Sequence, residues 1–183
     1  FYTKLDDAFA LESDTEEDEN TDFITLTRMN TNGATVAGIE FNLAARLSYG
    51  LEVRSGFTVK KSEYDSEYEA VSGVMTRDFM RTLDVYGSVS LSDDVTLKFT
   101  LTGSVNYTGQ AFVPNEEPVA GKPFIKKSDR FIELDAGLAW KLPVFPEISP
   151  KLSLGVKNIL NAYQDDLEKG AARNPAYLYG PAL

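Results

Sequence analysis

Apolar and polar residues alternate along most of this chain, which indicates β-strands with two different faces. From Val95 to Ala111 the odd positions are apolar or small, and the even positions carry hydroxyl, amide or amine groups. From Phe131 to Leu142 the apolar residues occupy the even positions. The same alternation marks 34–47, 51–60, 83–91 and 151–160, and more loosely 1–9. The pattern therefore predicts an all-β, antiparallel up-and-down meander of about seven long strands.

Two of these segments are much longer than an ordinary globular strand, which has about 5–6 residues. They are 34–47 and 95–111, and the alternation runs through each without a break. At roughly 3.3 Å per residue, the second would span about 56 Å, more than the hydrocarbon core of a bilayer even with a tilt of about 45°. Strand length thus favours a membrane barrel over a globular β-domain.

The connections between the segments alternate between short and long. The short ones are 48–50 and 92–94, 143–150 is moderate, and the long ones are about 10–22, 62–78, 112–130 and 161–183. In an up-and-down sheet every second connection lies at the same end, so we expect all long connections at one end. Bacterial outer-membrane barrels have short periplasmic turns and long external loops. A soluble β-sandwich gives no reason for this segregation.

The pair Asn32-Gly33 is the weak point of this scheme, because Asn-Gly is a strong hairpin signal. A tight turn there would move residues 10–22 to the short-loop end. The apolar phase changes across the pair, since Ile24 and Leu26 are even and Ile39 and Phe41 are odd. We therefore predict one long strand over 23–47 with a β-bulge near Asn32-Gly33.

Aromatic residues near the short connections predict a second membrane feature. Tyr49, Trp140 and Phe145 lie close to that end of the predicted sheet. Tyr and Trp are enriched at membrane–water interfaces, so we interpret the group as an interfacial belt. Burial in a core is the alternative for any one of them, because alternation alone does not distinguish lipid from a protein interior.

Composition excludes several classes of function. The formal net charge is -10, which argues against nucleic acid as a partner, because phosphate binding requires a basic surface. The chain has no Cys and no His, which removes thiolate and imidazole metal sites and the catalytic triads that use His. We expect no cofactor.

An acidic segment, Glu12–Asp22, contains seven carboxylates in eleven residues. Closely spaced carboxylates can supply the six to eight oxygen ligands of Ca²⁺. The alternating Asp-x-Asp-x-Asp-Gly order of a calcium loop is absent, so we interpret the segment as a solvated external loop that binds no metal. Calcium binding stays as the alternative.

Four stretches resemble TonB-dependent outer-membrane receptors, in the order in which that family has them. LSLGVKNILNAYQDD, 152–166, resembles the penultimate strand, which passes through Lys-Asn-hydrophobic-x-Asn-x-x-Tyr into the last external loop. GATVAGIEFNLAARL, 33–47, resembles the family's Gly-x-Glu strand, and FYTKLDDAF, 1–9, the strand before it. YLYGPAL, 177–183, resembles the approach to the final strand.

The resemblance implies a 22-stranded transmembrane barrel, of which residues 1–183 would form the C-terminal third. We expect the plug domain, the TonB box and the last strand to be absent from this chain. The implied function is ligand-gated, energy-coupled uptake of a large scarce nutrient, such as an iron chelate, haem, cobalamin or a glycan. Such uptake makes and breaks no bond in the nutrient, so the resemblance also implies that the protein is not an enzyme. The implied partners are outer-membrane lipid, the periplasmic protein TonB acting through the missing plug, and a surface lipoprotein.

Candidate ligand-binding residues are aromatic side chains in the predicted external loops: Tyr64, Tyr68, Tyr163, Tyr177 and Tyr179. Loop packing or interfacial anchoring is the alternative for each. Carboxylates also occupy polar strand positions, namely Glu40, Glu52, Asp84, Glu133 and Asp135. We interpret these as lumen polarity, because a glycosidase pair is defined by a distance in space and no motif supports one. The competing function is a soluble β-sandwich or small barrel that binds carbohydrate or acts as an adhesin.

Overall fold

The computed structural model describes residues 1–14, 25–47, 50–71, 73–115, 124–142 and 150–163. Twelve strands lie in these ranges: β1 Tyr2–Leu5, β2 Phe9–Asp14, β3 Thr25–Asn30, β4 Ala34–Arg46, β5 Leu51–Val71, β6 Val74–Asp78, β7 Val85–Asp93, β8 Phe99–Thr108, β9 Phe112–Asn115, β10 Phe124–Lys127, β11 Phe131–Lys141 and β12 Lys151–Val156. Among the described residues, no helix is long and apolar enough to cross a membrane.

Seven of the strands form one antiparallel meander in the order β1-β4-β5-β7-β8-β11-β12. This confirms the predicted all-β, up-and-down arrangement and its seven segments. β1 and β12 lie at the two edges, and no ladder joins them within the described part of the chain. A closed small barrel is therefore not what these residues form, and the sheet is open.

The connections segregate by length as predicted. β4 is followed closely by β5, β7 by β8 and β11 by β12, and all three connections lie at one end of the sheet, which we call the turn end. The three longer connections, β1 to β4, β5 to β7 and β8 to β11, lie at the opposite end, which we call the loop end. The strand predicted over 95–111 is shorter than expected, because the ladder of β8 begins only at Phe99.

The pairing register separates the predicted apolar and polar residues onto two faces. Leu101 pairs with Leu138, which pairs with Leu154, whereas the next row joins Thr102, Gly137 and Gly155. The apolar face comprises Ile39, Phe41, Leu43, Val53, Phe57, Val59, Val89, Leu91, Leu101, Val105, Tyr107, Ile132, Leu134, Leu138, Trp140, Leu152, Leu154 and Val156. The polar face comprises Glu40, Asn42, Glu52, Arg54, Thr58, Ser88, Ser90, Ser92, Thr102, Ser104, Asn106, Glu133, Asp135 and Ser153.

The apolar face is exposed. The relative accessibility is 76% at Ile39, 56% at Phe41 and 69% at Leu154. Two aromatic pairs lie on this face, Phe57 with Tyr107 at a centroid distance of 6.1 Å and Phe99 with Trp140 at 5.8 Å. The first pair is near the loop end and the second near the turn end. Trp140 therefore lies where the predicted belt placed it, whereas Tyr49 and Phe145 fall outside the described residues.

The long connections are structured where they are described, and the prediction that they are plain loops was wrong there. β5 continues past its predicted end through 62–71 and pairs with β6. β2 pairs with β3, and β9 pairs with β10. These three hairpins at the loop end, β2–β3, β5–β6 and β9–β10, we call the cap.

The segment 23–47 is interrupted at the predicted place but in a different way. The chain runs from β3 into β4 without a tight turn at Asn32-Gly33, as predicted, and Gly33 adopts a φ of 130°. Leu5 pairs with Ala34 and Phe9 with Asn30, so three residues lie opposite three across the break. The predicted one-residue bulge in this ladder was therefore wrong. Thr31 closes the break by donating its backbone N–H to the Ala8 carbonyl at 2.7 Å.

The buried apolar cluster of the described residues lies in the cap. It comprises Ala10, Tyr68 and Ala70, with Met29, Tyr64, Met80 and Ile125 packed around them. We call it the cap cluster. Its position means that the hydrophobic packing of the described residues is concentrated at the loop end, while the seven-stranded sheet contributes an uncovered apolar face.

Candidate functional site

A groove of about 580 Å³ lies against the polar face, towards the turn end. Its lining comes from β5, β7, β8, β11 and β12, because the pairing register places polar-face residues of these strands side by side. Hydroxyl groups form much of the lining: Ser90, Ser92, Thr102, Ser104 and Ser153. Charged residues also line it: Glu52, Arg54, Asp135 and Lys157. Leu91, Leu154 and Val156 line it as well, so the groove offers hydrogen-bonding and charged groups beside apolar ones.

On one side of the groove, Glu52 lies between two arginines. Its Oε1 accepts a short hydrogen bond from Arg46, and its Oε2 is 3.8 Å from a guanidinium nitrogen of Arg54. The sequence pattern had placed all three on strands, but it identified only Glu52 as a candidate. Because both arginine side chains are mostly exposed, these ion pairs orient charge at the surface more than they stabilise the fold.

On the other side, Asp135 holds the end of the neighbouring strand. Its Oδ1 accepts a hydrogen bond from the Asn158 backbone N–H at 2.9 Å, and its Oδ2 accepts one from the Ser104 hydroxyl at 3.4 Å. Both carboxylate oxygens are therefore engaged with the protein. Asp135 lies on the polar face, as its position in the alternation predicted.

The Lys-Asn-hydrophobic-x-Asn stretch forms a turn after β12. Asn158 and Asn161 have φ angles of 51° and 49°, in the left-handed region that Asn tolerates better than most residues. The Asn158 amide donates to the Ala162 carbonyl and accepts from the Ala162 N–H, both at 2.9 Å. Both Asn residues are therefore explained by backbone conformation and local hydrogen bonding. The strand predicted over 151–160 ends earlier, at Val156.

The predicted ligand-binding tyrosines have different environments. Tyr68 is buried in the cap cluster and donates its hydroxyl to the Asp78 carbonyl at 3.1 Å. The Tyr64 ring packs edge-to-face against Tyr68 and at a tilt against Phe79, and its hydroxyl donates to the Phe9 carbonyl at 2.8 Å. Tyr163 is half-buried after the Asn turn. The structure thus brings Tyr64 and Tyr68 together by packing, which favours the loop-packing alternative for these two.

Several candidates lie outside the described residues. Tyr177 and Tyr179 do so, as does most of the acidic segment, residues 15–22. Within the part of the chain that is described, no group of three or more Asp or Glu side chains could hold a metal ion. Glu40 lies on the polar face and accepts a hydrogen bond from Asn42 at 2.7 Å, and Glu133 pairs with Asn106 on the same face.

The sequence missed the cationic half of the groove and the aromatic row at the loop end. Arg54 and Lys157 have the same parity as Glu52 and Asp135 along their strands, so strand parity alone would have found them. Phe57 and Tyr107 lie on different strands with β7 between them, and only the register brings them together across Gly87.

Comparison with known proteins finds no family model that matches the chain, and no curated protein or solved structure that matches it at a significant level.

Proposed function

We propose that this chain forms part of the wall of an outer-membrane β-barrel, and that the barrel is a ligand-gated, energy-coupled uptake receptor similar to the TonB-dependent class. The observation that carries the membrane assignment is the bare apolar face with an aromatic pair near each end. A globular domain would cover such a face, because apolar surface is stabilised by removal from water. Lipid is the alternative cover.

The dimensions of the face agree with those of a bilayer. Phe99 and Tyr107, one from each aromatic pair, are eight residues apart on β8. That separation corresponds to about 26 Å along the strand and about 20 Å along the membrane normal at a tilt of about 40°, near the apolar band of about 25 Å in outer-membrane barrels. Charge begins just beyond the loop-end pair, where Lys61 forms an ion pair with Glu63 at 2.5 Å.

The open edges favour a barrel larger than the sheet described. Seven antiparallel strands leave β1 and β12 running in the same direction, so an antiparallel ladder cannot join them directly. Closure requires an odd number of further strands, which gives the even total of bacterial outer-membrane barrels. An unclosed edge in lipid would leave backbone N–H and C=O groups without partners.

Uptake is proposed from the polar face and from the resemblance in the sequence. The polar face would line the lumen, and its hydroxyl and charged groove would contact the ligand or the plug of the intact receptor. The cargo is one of the classes that the resemblance implies: an iron chelate, haem, cobalamin or a glycan. No residue is assigned to bond-making chemistry.

Nitroxide labelling of the intact protein in lipid vesicles tests the membrane assignment. The chain has no Cys, so Leu101→Cys and Thr102→Cys report on adjacent positions of opposite faces without background from this segment. We expect the Leu101 label to collide with oxygen more than with a water-soluble nickel complex, and the Thr102 label to do the reverse. Equal access of the nickel complex to both labels would refute the lipid-facing assignment.

Uptake assays test the function separately. Cells that lack the intact gene should lose accumulation of one radiolabelled probe among ferric siderophores, haem, cobalamin and oligosaccharides. Cells that lack the energy-transducing periplasmic protein should lose accumulation of the same probe. Unchanged uptake of all four classes in the deletion strain would refute the receptor assignment while leaving the barrel intact.

A further inference from the structure

The cap cluster joins hairpins that start from widely separated parts of the sheet. Ala10 and Met29 come from β2–β3, which is inserted between β1 and β4. Tyr68 and Ala70 come from β5, and Ile125 comes from β10, which is inserted between β8 and β11. Two whole strands, β7 and β8, separate the bases of the last two hairpins. The cluster therefore spans the loop end of the sheet.

Polar contacts fasten the hairpins around this cluster. The Tyr64 hydroxyl donates to the Phe9 carbonyl at 2.8 Å, and the Asn32 amide donates to the Ser66 hydroxyl at 3.0 Å, which ties β2–β3 to β5. The Arg81 N–H donates to the Phe112 carbonyl at 2.8 Å, which ties β9 to the segment before β7. Each hairpin is thus held by at least one hydrogen bond besides apolar packing.

The cap lies on the polar side of the sheet. Ala34 pairs with Tyr64 on that side and is completely buried. Two consecutive residues of β5 show the difference, because Thr58 on the polar face is 6% exposed and Val59 on the apolar face is 51% exposed. Ser62, two residues before Tyr64, is 6% exposed, and its hydroxyl has no hydrogen-bond partner. At the loop end the polar face is therefore covered while the apolar face is bare.

We propose that the cap is a latched gate over the polar face, and that the Tyr68 side chain is the latch. The β2–β3 hairpin turns about the paired breaks 6–8 and 31–33, where the ladder is interrupted on both strands. Separation of Tyr68 from Ala10 and Met29 frees this hairpin and uncovers the polar face near Ser62. Only the biological role of the gate rests on the proposed function: in an uptake receptor, this opening would be the entrance to the transport path.

Thiol labelling at Ser62 measures the opening. In the intact protein, with any cysteine outside this chain replaced, Ser62→Cys is nearly isosteric and breaks no hydrogen bond. A sulfonated maleimide should label it at least about tenfold more slowly than Glu67→Cys, an exposed control, a ratio equivalent to about 1.4 kcal/mol. Adding Tyr68→Ala should accelerate labelling at Ser62 by about tenfold or more, whereas Tyr68→Phe keeps the ring and should change it little.

Two results would overturn the latch. One is labelling at Ser62 as fast as at Glu67, and the other is a labelling rate unaffected by Tyr68→Ala in a protein that still migrates as folded in an unheated gel.

A disulfide tests the gate if the Tyr68→Ala variant does not fold. Oxidising Asn32→Cys/Ser66→Cys should slow amide exchange of residues 9–14 and 64–70, and reduction should restore it. Unchanged exchange would also refute the gate. Rapid labelling of Leu101→Cys in vesicles would instead refute the membrane assignment.

Discussion

Replacing Gly87 with Ala tests whether the aromatic row at the loop end is packed as described. Gly87 lies between Phe57 and Tyr107 on the apolar face. A Cβ at this position would overlap Phe57 Cδ2 and would lie 2.5 Å from the Gly56 carbonyl oxygen. The carbonyl belongs to the neighbouring strand and cannot move without disturbing the ladder. Overpacking of this kind costs about 1–3 kcal/mol, partly offset by about 0.5–1 kcal/mol from replacing Gly in a strand.

Gly103→Ala is the matched control, because Gly103 lies on the same face and its added Cβ would come no closer than 3.8 Å to another atom, the Asp135 carbonyl oxygen. We expect Gly87→Ala to lose about 1–2 kcal/mol and Gly103→Ala to be neutral or slightly stabilised. The midpoint of heat unfolding, followed by migration in unheated gels of the intact protein, measures both. If Gly87→Ala is as stable as Gly103→Ala, the close packing of Phe57 on β7 is wrong.

Three further substitutions give distinct outcomes. Asn158→Ala should destabilise the protein by about 1–2 kcal/mol, because Asn158 has a left-handed φ that Ala adopts poorly. Asn158→Gly should destabilise it less, because Gly adopts that φ readily. Equal losses of stability in urea unfolding would contradict a backbone origin. Trp140→Ala should lower the yield of protein that folds into vesicles more than Trp140→Phe does, because only Phe retains stacking on Phe99. Equal yields for the two variants would contradict a role of Trp140 in an interfacial aromatic belt. Burial raises the pKa of Asp84, which lies between β6 and β7, so the charged carboxylate destabilises the fold at neutral pH. Asp84→Asn should therefore be more stable than wild type at neutral pH, and this gain should disappear as the pH falls below 3.8. A gain in stability that persists in acid would contradict burial as the cause.

The strand faces and the parity of the connections were predictable from the sequence, for a local reason. Side chains alternate between faces with a period of two, so Leu101 and Leu138 had to share a face once their strands paired. The order of the seven segments followed, because consecutive antiparallel strands joined by short connections lie side by side. The left-handed turn at Asn158 was not predicted, because the alternation had extended the strand to residue 160, whereas β12 ends at Val156.

The cap was decided only by the tertiary structure. The residues of 62–71 include six that are charged or hydroxylic besides their two tyrosines, so their composition favoured a loop. They nevertheless extend β5, because β6 pairs with them. Tyr64 and Tyr68 were candidate ligand contacts because they are aromatic residues in a predicted external loop. In the structure, Ala10 and Ile125, which are far away in sequence, pack near them. Strand pairing and apolar burial between distant segments depend on how the rest of the chain folds. Alternation within one strand depends only on consecutive residues, so it can be read from the sequence.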